Sequence, residues 1–234
     1  MNTFLLLILF IFVSKYSQSF QHFSIRRNVK AICMTNKFAD PKNYIVFKKL
    51  FGDDSALLID FVNKALPKKQ IKKIEYIPID IEPEIRIKDH SVLDVLCTDK
   101  NGSKCIIQMH CFESATEKGL EKSVFYYGSN IITGLQYSDL EVIFIAITDF
   151  VLFSEITDYL SYHAFRDIKT DQQNINVLSF VFIEIPKYQI HENAQGIDEW
   201  IDLFKTASSR KTFQTSNPII EKAYKKLEII DNFD

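Results

Sequence analysis

The chain has 234 residues, 47% hydrophobic and 25% charged, which supplies the apolar surface for one sizeable core and excludes a disordered chain. A formal net charge of −2 excludes bulk attraction to nucleic acid, so any such contact needs a local basic face. Only six glycines occur, and no G-x-G-x-x-G or G-K-[ST] string, which argues against a nucleotide-cradling loop.

The N-terminus raises a question of targeting. "FLLLILFIFV", Phe4 to Val13, is apolar but too short to span a membrane comfortably. Ser17-Gln18-Ser19 resembles a small-x-small cleavage site, yet no Lys or Arg precedes Phe4. Two expectations stand. Residues 1–33 are a secretory signal and the protein is secreted, or they are an upstream extension, translation starts at Met34 and the protein is cytoplasmic. In both cases the domain is 34–234, and residues before about Thr35 pack little against it. Cys33, Cys97, Cys105 and Cys111 form no C-x-x-C pair. Cys105 and Cys111 are too far apart along one strand to bond each other, so the cysteines read as reduced core residues.

From Asp40 onward, apolar residues at Val46, Phe47 and Leu50, then Leu57, Leu58, Phe61, Val62 and Leu66, predict two helices around Gly52-Asp53-Asp54. Asp53, Asp54 or Ser55 caps the second, and Pro67 follows its end. Lys68, Lys69, Lys72 and Lys73 make a basic cluster, either a solvated face or a patch tracking phosphates. Ile77, Ile79, Ile81, Ile85 and Ile87, with Pro83 between, predict a kinked or edge strand. After the hairpin discussed below, "ATEKGLEKSVFYYGSNIITGL" predicts a helix with Leu120, Val124, Tyr127 and Ile131 on one stripe. "LEVIFIAITDFVLF" predicts a strand at the centre of a covered sheet. The remainder predicts one strand in "INVLSFVFIEIPKY", a helix packed through Trp200, Leu203 and Phe204, and a last helix after Asn217-Pro218. The order implies an α/β sandwich with a mixed sheet, in one domain with a C-terminal elaboration.

"SVLDVLCTDKNGSKCIIQMHCF", Ser91 to Phe112, reads as two strands folded back on each other. A two-residue Asn101-Gly102 turn would set Asp94 opposite Met109. A three-residue loop with Gly102 left-handed pairs Asp99 with Ser103 and sets Asp94 opposite Gln108. The second register sorts Leu93, Val95, Cys97, Cys105, Ile107, Met109 and Cys111 onto one apolar face, so it is the one expected. Asp94, Gln108 and His110 then share the other face with Val92, Leu96 and Ile106. Polar groups there need partners: either each other, as a hydrogen-bonded trio, or a bound cation.

"FADPKNYIVFKKLFG", "LDVLCTDKNGSKCIIQMH", "EKSVFYYGSNIITG", "DLEVIFIAITDFVLF" and "FIEIPKYQ…IDEWIDLF" resemble, in order, the blocks of the Rpn-type transposase family. These are recombination-promoting nucleases of the PD-(D/E)XK superfamily, and the likeness runs from about Phe38 to the C-terminal helix. It implies a restriction-endonuclease-like core over about 40–155, an elaboration over 156–234, and Mg²⁺-dependent cleavage of DNA in recombination. It assigns the catalytic positions to Asp94, Gln108 and His110, and the metal positions to Asp94 and Gln108. Two carboxylates would fix a hard cation that polarises the phosphate and acidifies an attacking water, while a third group orients that water.

This chain departs from the family's pattern. Asp94 is kept, but Gln108 stands for the expected Glu and His110 for the expected Gln. Tyr44 stands where the first helix usually shows an acid, and Ser123 where Arg is frequent. The segment after Ile132 is shortened and lacks the usual Gln. Glu113, Glu117 and Glu121 are candidate replacement carboxylates, with exposed helix N-terminal acids as the plainer reading. His110 is a candidate ligand or general base. Glu184 and Lys187 match a block that reads as structural. Expected, then, is a DNA endonuclease by descent with weak Mg²⁺ binding and degraded activity. The alternative is a non-catalytic DNA-binding or protein-interaction remnant of the same fold.

Overall fold

The structure, a computed structural model, describes residues 37–77, 90–112 and 140–230. The alternation at Ile79–Ile87, the helix stripe through Leu120 and Ile131, Cys33, Ser123, and Glu113, Glu117 and Glu121 all lie outside the described residues.

Two capped helices open the domain. Helix α1, Tyr44–Gly52, starts at Asn43, whose side-chain oxygen accepts from the backbone N–H groups of Ile45 and Val46 at 3.0 and 3.5 Å. Helix α2, Ser55–Ala65, is capped by Asp54, which accepts from Ala56 and Leu57 at 3.2 and 3.3 Å. Each buries the expected stripe: Val46, Phe47 and Leu50 with Phe51 in α1, and Leu57, Leu58, Phe61 and Val62 in α2.

Strand β1, Ile71–Tyr76, begins inside the basic cluster, where Lys72 and Lys73 take its exposed positions. Lys69 pairs with Glu141 at 2.6 Å and Lys73 with Glu75 at 2.7 Å. Two of the four lysines are therefore matched by carboxylates, which favours the solvated reading of that run. The remaining strands are β2 (His90–Asp99), β3 (Lys104–Phe112), β4 (Glu141–Thr148), β5 (Leu160–Ala164) and β6 (Leu178–Glu184). The sheet runs β1-β2-β3-β4-β6-β5. β1, β2 and β3 pair antiparallel in sequence, β3 with β4 and β4 with β6 are parallel, and β5 returns antiparallel to β6. This is the mixed sheet that the order of elements predicts.

Helices α3, Ile197–Thr206, and α4, Pro218–Ile230, join α1 and α2 on one face of the sheet in the main core. Trp200, Leu203 and Phe204 are buried there, with Phe51 5.4 Å and Phe61 5.6 Å from the Trp200 ring. The indole N–H finds an acceptor in Asp60 Oδ2 at 2.7 Å, so the one polar atom of Trp200 is satisfied. The opposite face holds smaller clusters: Ile106, Val142 and Leu178 in one, and Phe112, Phe144, Ala146, Leu152 and Phe182 in another.

Two expectations are corrected. The apolar run from Leu140 to Phe153 is not one strand, because β4 stops at Thr148. There the Thr148 hydroxyl donates to the Phe150 carbonyl, and the Glu184 carboxylate draws in the N–H groups of Leu152 and Phe153. Local and distant acceptors thus turn the chain out of the sheet. The remainder also carries two strands and not one, since the short, partly polar β5 completes the sheet. The three described cysteines, Cys97, Cys105 and Cys111, are free and buried, as expected.

Candidate active site

The β2–β3 hairpin closes as its residue pattern requires. Asp99 N–H donates to the Ser103 carbonyl at 2.9 Å, and Asp99 Oδ1 accepts from the N–H groups of Asn101 and Ser103. Gly102 has φ +85°, a left-handed conformation that glycine adopts without a Cβ penalty. This loop sets Asp94 opposite Gln108. Leu93, Val95, Cys97, Cys105, Ile107, Met109 and Cys111 all enter the main core. By alternation Asp94, Gln108 and His110 take the other face together.

The three side chains do different things there. Gln108 is 1% exposed, and its Nε2 donates to Asp94 Oδ1 at 3.1 Å. Its Oε1 has no hydrogen-bond partner among the described residues. His110, fully buried, stacks on Phe144 with ring centroids 4.4 Å apart and on Phe112 at 5.7 Å. The structure thus joins Asp94 to Gln108 directly and sets His110 beside them within an aromatic wall.

Burial dominates the electrostatics of Asp94. Desolvation pushes its pKa from 3.8 up to about 6, against the Gln108 hydrogen bond and the charge of Lys48, which both pull it down. Lys48 is a contributor that sequence reasoning missed. It lies one helical turn after Tyr44 on α1, and its Nζ donates to Tyr44 Oη at 2.8 Å, 4.7 Å from that ring's centroid. The i, i+4 spacing signals the Tyr44–Lys48 pair but not that its charge reaches Asp94. Where the resemblance implies an acid in this helix, the chain therefore shows a tyrosine carrying a cation.

Among the described residues the donor set does not fit a tight divalent site. It offers one carboxylate that burial drives toward its protonated form, one neutral amide oxygen, and an imidazole packed among phenyl rings. Among the described residues no three His, Cys, Asp or Glu side chains come together as metal ligands. Glu184 and Lys187 lie elsewhere, as a buried ion pair at 2.7 Å, in keeping with a structural role.

The raised Asp94 pKa carries a sign that can be tested. The folded state holds this proton more tightly than the unfolded chain, so stability falls as pH rises from about 4 to about 6 and is level above that. Asp94→Asn keeps an oxygen for the Gln108 amide and removes the charge. It is expected to gain about 1–3 kcal/mol over the parent at pH 7.5 and nothing at pH 4, measured by urea unfolding. A variant less stable than the parent at pH 7.5 would show that the carboxylate is a net stabiliser.

Among the described residues no helix is long and apolar enough to cross a membrane. Comparison with curated proteins and with solved structures finds no match. Comparison with family models gives a match over residues 41–233, covering the sheet, the four helices and the Asp94–Gln108 pair. With its mixed sheet and the carboxylate of β2 facing β3, the chain belongs to the PD-(D/E)XK nuclease family transposases, which have a restriction-endonuclease-like α/β fold.

Proposed function

We propose that this protein is a DNA endonuclease by descent, related to transposases of the Rpn type, whose phosphodiester cleavage has fallen to near background. The observation that carries the reading is the hydrogen bond between Gln108 Nε2 and Asp94 Oδ1. Two facing carboxylates repel and need a cation between them, whereas a carboxylate and an amide satisfy each other without one. The Gln108 side chain supports folding of the hairpin face where a glutamate would have supported metal binding. A divalent ion would supply polarisation of the phosphate and an acidified water. In this chain Asp94 is the one anionic group of the trio that could hold it, with Gln108 Oε1 as a neutral second donor.

His110 fits the same reading. Its ring is held flat against Phe144, which suits packing better than reorienting a water. DNA remains the partner the family implies, and the reading concerns the loss of chemistry, not of that partner.

Nicking of supercoiled plasmid with Mg²⁺ or Mn²⁺ tests the proposal. The unmodified protein and Asp94→Ala are expected to give the same background rate. Cleavage that depends on both the ion and Asp94 would overturn it, and would direct attention to His110 or to an acid from the segment after Phe112.

A further inference from the structure

The two edges of the sheet are built differently. β1 has a bulge between Ile71 and Lys73 and exposes Lys72 and Lys73. The Asn63 side chain also occupies both backbone groups of Ile71, accepting its N–H at 2.7 Å and donating to its carbonyl at 3.0 Å. Bulges, lysines and occupied backbone groups are the means by which an edge refuses another strand. β5 has no bulge and no lysine, and one of its outward backbone groups is occupied, by an exposed side chain. It pairs with β6 without a register shift, contains no proline and no Lys, Arg, Asp or Glu, and leads from the exposed Tyr162 to the exposed Phe165.

The ladder decides which backbone groups β5 offers. Glu184 N–H donates to the Tyr159 carbonyl, one step beyond the Leu160–Ile183 pair, so Tyr159, Ser161 and His163 turn their backbone groups toward β6. Leu160, Tyr162 and Ala164 turn theirs outward. Among the described residues only the Leu160 N–H of this set has a bond, a 3.2 Å contact to the exposed Asp158 Oδ1.

We propose that β5 is an interface for a second copy of this chain, the two β5 strands pairing antiparallel about a two-fold axis at Tyr162. In that register Tyr162 meets Tyr162 of the second copy and Leu160 meets Ala164 of the second copy. The outward groups form about six backbone hydrogen bonds and join two sheets into one. The flanking charges fit the same axis. Asp158 lies four residues before Tyr162 and Arg166 four after, so each faces the other across the junction, twice. An axis at Ser161 would set Asp158 against Ala164, and one at His163 would set it against Ile168. Both use fewer outward groups. Within one copy, among the described residues, Arg166 is held by Asp171 alone, in an exposed pair at 3.2 Å and at the Asp171 carbonyl, and exposed pairs of this kind are weak. Leu160 N–H then exchanges Asp158 for the Ala164 carbonyl of the second copy, which releases Asp158 to Arg166.

Sedimentation equilibrium of the full chain tests this, and its outcome is independent of the nuclease reading. A monomer–dimer equilibrium that weakens with salt is expected. Asp158→Arg and Arg166→Asp should each weaken the dimer about tenfold at low salt, and both together in one chain should restore it. Tyr162→Lys, which places two ammonium groups face to face, should leave a monomer that melts somewhat below the parent, since it gives up the bond from Tyr162 Oη to the Ala65 carbonyl at 3.0 Å. If that variant fails to fold, the charge exchange decides alone. A parent that is monomeric at every concentration, or a dimer indifferent to the single reversals or not restored by the double, overturns the proposal.

Discussion

Glu184→Ala is expected to be the most damaging single substitution in the described domain, at about 3–5 kcal/mol. Glu184 has no exposed surface, and each of its oxygens is committed. Oε2 accepts from the N–H groups of Leu152 at 2.5 Å and Phe153 at 3.1 Å, and Oε1 accepts from Lys187 Nζ at 2.7 Å. Removing the carboxylate strands two backbone donors and leaves Lys187, itself largely buried, with the Phe153 carbonyl as its one remaining acceptor among the described residues. The midpoint of thermal unfolding should fall by about 10 °C or more for a domain of this size. Glu184→Gln keeps an oxygen for the backbone donors but no charge for Lys187, so its cost should be intermediate. A loss under about 1 kcal/mol for Glu184→Ala would mean that segment 149–153 is held by its apolar contacts alone.

That anchor also marks where sequence reading stops. The pattern from Leu140 to Phe153 is nearly continuously apolar, and its break at Thr148-Asp149 is too short to announce by itself that the chain leaves the sheet there. The instruction comes from a carboxylate 31 and 32 residues away. β5 escaped notice for the opposite reason. Its five residues sit half-exposed at an edge and alternate weakly, so burial left little trace in their composition. The hairpin was legible because one register alone sorts seven apolar side chains from three polar ones, and Gly102 fits the loop that sets it. The α2 cap was legible to within a residue, since Asp53, Asp54 and Ser55 are all good capping types and the backbone chose Asp54. At the site, the shared face of Asp94, Gln108 and His110 could be read from alternation. The stacking of His110 on Phe144 and the charge of Lys48 could not, because both come from elements that meet the hairpin only in the folded chain.

Gln108→Glu is the experiment with the largest expected effect on the site, and its two halves have opposite signs. In metal-free buffer at pH 8 it puts a second carboxylate in the position from which Nε2 now reaches Asp94 Oδ1 at 3.1 Å. Asp94 is already pushed up to about 6 by burial, and a like charge that close forces the pair to share one proton. The hydrogen bond of a side chain that is 1% exposed is replaced by a strained carboxylate pair, so a loss of about 3 kcal/mol is expected. Divalent ion should reverse it. A second carboxylate is what Mg²⁺ lacks in the parent, and an ion present at 100 times its Kd returns about 2.7 kcal/mol to the folded state. The melting temperature of the variant should therefore rise steeply with Mg²⁺ or Mn²⁺ while the parent's barely moves. Adding His110→Gln supplies the amide that the resemblance implies there, and plasmid nicking should rise above background if Tyr44 and Lys48 leave room for the substrate. Asp94→Ala in the same background should abolish both gains. If Gln108→Glu loses stability and no divalent ion recovers it, this face of the hairpin is structural, and its polar trio exists to hold β2 against β3.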